Sequence, residues 1–215
     1  LESDALNLGG GINGNATVSR LDASPVFISD ITVDKFFFGK DTVGNILVKV
    51  DNLRENIYAA DVKVTDNGND VQFLGEYLIP PDGEGSINAT LALNPLKMKT
   101  IEAFSMGYLQ DSEGDLTGKL NISGNLDKPN ILGELNFIKS KINVAMLNAD
   151  FIMDNQKIQF NNQGIQFKQF AFTDGNNNKA EINGSILTQN YSDFNFNLNL
   201  STNDFAVVNS TREDN

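Results

Sequence analysis

The chain has 215 residues, a formal net charge of −12, 40% hydrophobic residues, and no Cys, His or Trp. That acidity argues against nucleic acid, whose phosphates are bound by Lys and Arg with release of counterions, and against anionic lipid headgroups. The missing Cys and His remove disulfides, thiolate metal sites and the commonest catalytic base and nucleophile.

Along the chain, apolar and polar residues alternate, and on a strand successive side chains face opposite ways. The first instances are Val26 with Ile28, Ile31 with Val33, Ile46-Val48-Val50, and Val62 with Val64. Between them, Asn52-Leu53-Arg54-Glu55-Asn56 is read as a possible turn of helix. Asp66-Asn67-Gly68-Asn69-Asp70 is a turn signal, and Ile87-Ala89-Leu91-Leu93 a further strand. One helix is predicted next, with Asn94 as cap, Pro95 at the first helical position, and Leu96 to Phe104 following. Ile101 and Phe104 would share a face, making this helix a plug or bracket over the sheet.

Asp111-Ser112-Glu113-Gly114-Asp115 carries three carboxylates of the kind a glycosidase uses. This run and Asp66 to Asp70 also share some character with calcium loops, but neither has the EF-hand spacing. Both are read as solvated turns, and no catalytic residue, metal or cofactor is assigned. Beyond them come Leu116-Gly118-Leu120-Ile122-Gly124, Ile131-Gly133-Leu135-Phe137 and Ile182-Gly184-Ile186, with turns at Asn161 to Gly164 and Asp174 to Asn177. Last, Phe194, Phe196, Leu198 and Leu200 alternate with Asn195, Asn197 and Asn199, so one face is apolar and the other all amide. About fifteen short strands with almost no helix between them exclude parallel sheets built on helical crossovers. Sandwiches, barrels, solenoids and long folded-over sheets remain.

A sandwich core would account for the many Phe residues. It accounts poorly for glycine recurring on the apolar face at Gly118, Gly124, Gly133 and Gly184, because glycine within a strand marks a bend or a close backbone approach. Repeated in successive strands, it lets a sheet curl into a trough lined with Phe, Leu and Ile.

The run Leu116 to Phe137, anchored by Gly118, Gly124, Pro129, Gly133 and Phe137, resembles a hairpin signature of the TamB (translocation and assembly module) family. That family is related to AsmA and to bridge-like lipid transfer proteins. The resemblance is strongest over residues 90–200, and the portion around Phe36 to Gly39 and Asp51 to Tyr58 departs from it. It implies an all-β fold: a long curved, folded-over sheet (a β-taco, or open half-pipe) with an apolar interior groove and one short helix. Residues 1–215 would form a single piece of a larger periplasmic protein of a Gram-negative bacterium, anchored in the inner membrane by a segment outside this chain. The opening at Leu1-Glu2-Ser3, without Met, and the ending at Thr211 to Asn215 are read the same way.

Candidate groove-lining residues are Leu116, Leu120, Ile122, Ile131, Leu135, Phe137, Ile142, Val144, Phe151, Met153, Ile158, Phe160, Ile165, Phe167, Phe170, Phe172, Ile182, Ile186, Phe194, Phe196, Leu198 and Leu200. The expected partners are phospholipid acyl chains and an outer-membrane barrel of the BamA/TamA type. The expected function is non-enzymatic: shielding acyl chains during phospholipid transport between the membranes, supporting outer-membrane protein assembly, or both. Charged residues in place of Leu120, Phe160, Phe167 or Phe196 are expected to stop transport without unfolding the chain. A scaffold that pairs with a barrel by strand addition, and a surface β-sandwich adhesin, stand as alternatives.

Overall fold

In the computed structural model, residues 2–3, 7–22 and 24–208 are described; Leu1 and the run Thr211 to Asn215 lie outside them. The strands are β1 (Glu2–Ser3), β2 (Leu8–Ser19), β3 (Val26–Phe38), β4 (Asp41–Asp51), β5 (Ile57–Asp66), β6 (Asn69–Leu78) and β7 (Ser86–Lys97). After helix α1 (Met98–Phe104) follow β8 (Leu109–Asn125), β9 (Lys128–Val144), β10 (Ala149–Met153), β11 (Gln156–Asn161), β12 (Gly164–Thr173), β13 (Lys179–Leu187) and β14 (Asn195–Thr202).

The fourteen strands form one curved sheet in which neighbours in sequence are neighbours in space. β10 and β11 lie end to end, both pairing with β9 and β12. Pairing is antiparallel throughout, as short hairpin connections require. A two-sheet sandwich is therefore ruled out for the described residues, and so is the adhesin alternative built on it. The strands are also longer than the turn signals suggested, β8 and β9 reaching 17 residues each.

Several expectations change. Asn94 and Pro95 belong to β7, and the helix begins only at Met98 with no side-chain cap. Apolar alternation continues past Pro95 because the register shifts between Leu93 and Leu96, which brings Leu96 opposite Leu116. Asn52 to Asn56 forms a loop closed by an Ile57 N–H bond to the Arg54 carbonyl, not a turn of helix. Asp111 to Asp115 is no solvated loop; it lies inside β8, bulged where Asp111 and Gly114 take positive φ values of 50° and 86°. There the Ser112 N–H donates to Glu102 of α1 at 2.6 Å, and Asp115 pairs with its register partner Lys97 at 2.7 Å. Pro129 falls inside β9 opposite Gly124, so the β8–β9 turn is the Leu126-Asp127 step before it.

Burial concentrates on one face in two adjoining clusters. Leu93, Met98, Leu116, Leu120 and Leu135 form the first, and Met153, Phe170, Phe172 and Ala180 the second. Met98, Ile101 and Phe104 recur at helical spacing; the first two enter the first cluster. The Phe104 ring lies 5.0 Å from Phe38 and 6.5 Å from Phe36. α1 thus braces β3 against the sheet centre, the bracket its pattern predicted.

Candidate acyl-chain groove

The register converts the alternation of single strands into rows that cross the whole sheet. One row runs Gly14, Ile31, Val48, Val62, Phe73, Leu91, Leu120, Gly133, Phe160, Ile165, Ile186, Phe196, from β2 to β14. The row beside it runs Ile12, Val33, Ile46, Val64, Val71, Leu93, Gly118, Leu135, Ile158, Phe167, Gly184, Leu198. Neither contains a polar side chain.

Glycines in these rows sit between large neighbours: Gly118 between Leu93 and Leu135, Gly133 between Leu120 and Phe160, Gly184 between Phe167 and Leu198. A Cβ on Gly133 would stand 2.1 Å from the Lys119 carbonyl oxygen, at a φ of 146°. This is the close backbone approach that glycine in a strand signals.

The candidate lining residues fall on this face, with Phe194 just before β14 rather than within it. They differ in depth. Leu116, Leu120, Leu135, Met153, Phe170 and Phe172 are buried in the clusters. Ile122, Ile131, Phe137, Ile142, Val144, Phe151, Ile158, Phe160, Ile165, Phe167, Ile182 and Ile186 are half-buried, while Phe194, Phe196, Leu198 and Leu200 are exposed. A charge at Leu120, 7% exposed, would disrupt the core; it cannot serve as a clean groove variant as expected from the sequence. Phe160, Phe167 and Phe196 are free of that objection.

The lining candidates drawn from the sequence begin at Leu116 and leave out the half of the face before it. Ile31, Ile46, Val48, Val62, Val64, Val71, Phe73 and Leu91 continue the same rows; the alternation of most of them marked strands, but only the register shows that they share this face. Phe205 was not among the lining candidates either. It follows β14, and its ring meets Phe172 at 5.1 Å and Phe151 at 5.7 Å.

The opposite face is polar and charge-paired. Lys49 meets Asp30 at 2.9 Å and Lys157 meets Glu134 at 2.8 Å. Such exposed, solvent-screened pairs add little to stability. This face carries its own concavity of about 1180 Å³, in which Leu74, Ala92, Pro95 and Ile138 lie among Gln72, Thr90, Thr117, Lys119 and Glu134. Among the described residues no helix is long and apolar enough to cross a membrane.

Compared with known families, residues 168–214 match the model of the TamB C-terminal domain. No curated protein and no solved structure gives a significant match. The matched segment begins within β12, takes in β13 and β14, and lies beyond the Leu116 to Phe137 hairpin that first carried the likeness. A second part of the chain thus supports the likeness: residues 168–214 are similar to the TamB C-terminal domain, the family whose hairpin signature Leu116 to Phe137 resembles.

Proposed function

We propose that the apolar face is a conduit for lipid acyl chains, one stretch of a periplasmic bridge that carries phospholipid between inner and outer membrane. The observation behind this reading is the pair of unbroken apolar rows from β2 to β14. Each methylene removed from water contributes about 0.8 kcal/mol. A sliding chain therefore meets a low barrier only where every step offers similar apolar contact, and a lining of Leu, Ile, Val and Phe on successive strands offers that. No catalytic residue is required. Headgroups would stay at the open side in water.

Phe160→Asp and Phe167→Asp, on half-buried positions of the face, are expected to abolish outer-membrane lipid supply in a strain dependent on the full-length protein. Normal supply with correctly folded variants would refute the conduit.

A second reading has its own observation. Every residue of β14 is exposed, and its outer edge has no neighbouring strand among the described residues. An open edge offers unpaired N–H and C=O groups to an incoming strand, and the fitting partner would be a BamA/TamA-type outer-membrane barrel. Photo-crosslinkers at Asn195 or Asn199 would then capture the barrel, whereas crosslinkers at Phe160 or Phe167 would capture lipid.

A further inference from the structure

The chain after β14 does not run outward. It turns at Asp204, whose φ is 59°, and folds back over the sheet. Phe205 enters the second buried cluster, edge-on to Phe172 and tilted against Phe151. The next residue is tied down: the Ala206 N–H donates to Asp174 Oδ2 at 3.0 Å. Asp174 is 2% exposed and is held in turn by the backbone N–H groups of Asn176 and Asn178 and by the Asn178 side-chain amide.

Phe205 is a half-buried aromatic ring resting on side chains of the apolar face. It comes from a segment outside the sheet ladder, held by one backbone hydrogen bond to a buried carboxylate and by ring contacts. Any acyl chain lying over Phe151 and Phe172 would need the space this ring fills. Among the described residues nothing comparable covers the face at β14, where Phe196 is 66% exposed and Leu200 50%.

We propose that Phe205 and Ala206 form a strap that occupies the groove over β10 and β12 and must lift for an acyl chain to pass. The strap rests on the conduit reading and adds a gate to it. The ring is the resident occupant of an aromatic seat, and Asp174 is the catch. When the seat is filled, the bound chain is confined to the remaining face; when it is free, the groove is continuous. If the strap is closed about nine-tenths of the time, it weakens apparent affinity for an acyl chain about tenfold.

The test uses cis-parinaric acid as an acyl probe, together with Phe205→Ala and Phe205→Trp variants. The chain has no Trp, so Trp at position 205 is the only indole signal. Phe205→Ala is expected to bind the probe about tenfold more tightly than wild type. Phe205→Trp is expected to emit as a partly buried indole and shift to longer wavelength as stearate fills the groove. Equal or weaker probe binding by Phe205→Ala, or indole emission that stays constant while stearate displaces the probe, overturns the strap and leaves the conduit standing. No probe binding by either wild type or Phe205→Ala overturns both. Circular-dichroism melts confirm that the Ala variant is folded, and the Trp variant retains an aromatic ring should the Ala variant not be.

Discussion

Asp174 shows how one residue's chemistry reaches the groove. Its carboxylate accepts the Ala206 N–H, then the Asn178 side-chain amide and the Asn178 and Asn176 N–H groups, and these together hold its pKa down to about 2 from the ordinary 3.8, against the opposing effect of burial. A depressed carboxylate contributes stability that is fully present above its unfolded pKa and lost as pH falls through the folded one. The wild-type melting temperature should therefore drop between about pH 4 and pH 2, and Asp174→Asn should lack that component of the drop. Identical pH profiles would show that the carboxylate plays no such part. Gly133 is the other residue whose identity is dictated locally. Gly133→Ala places a methyl 2.1 Å from a backbone oxygen at a φ of 146°, so backbone must move. Urea unfolding should show a loss of about 1–3 kcal/mol or more, whereas an unchanged midpoint would mean that the strands can separate without cost.

At the scale of elements, the join of β4, β6, β7 and α1 depends on one buried amide. Asn69 donates to the Val43 carbonyl and to Thr100 Oγ1, each at 2.8 Å, and accepts the Lys97 N–H at 2.8 Å. All its contacts except the last need a donor. Asn69→Asp would face the Val43 carbonyl with a carboxylate oxygen, and leaving a buried acceptor unpaired costs about 1–3 kcal/mol. The expected result is a lowered urea midpoint with Phe104 released from Phe36 and Phe38, read by proteolysis after α1; full stability would deny the amide this role. Met98→Ala, at 3% exposure in the first cluster, should cost about 2–5 kcal/mol in the same assay. These roles were invisible in the sequence, where Asn69 read as one more polar residue in a turn.

Across the whole molecule, protection should follow position in the sheet. Strands β8 and β9 are long, central and paired on both sides, while β14 is wholly exposed and lies at an edge. Native-state hydrogen exchange is expected to be slowest at the amides of Leu116 to Leu120 and of Leu135, and fastest in β14. Uniform protection would contradict an open sheet.

The sequence by itself determined that each strand has an apolar and a polar face, since alternation between adjacent residues becomes two faces as soon as the backbone extends. Phe194 to Leu200 and Leu116 to Gly124 were legible for that reason, and so were the tight turns at Asn67-Gly68 and Asn162-Gln163. Only the tertiary structure decided how those faces align. Register depends on bulges, and those at Lys139 and Gln169 change which side of the sheet Ile142 and Phe170 occupy. The unbroken rows, the late start of α1, the grip of Asn69 and the return of Phe205 onto Phe151 each join residues far apart in the chain. Local spacing carries no record of such partners.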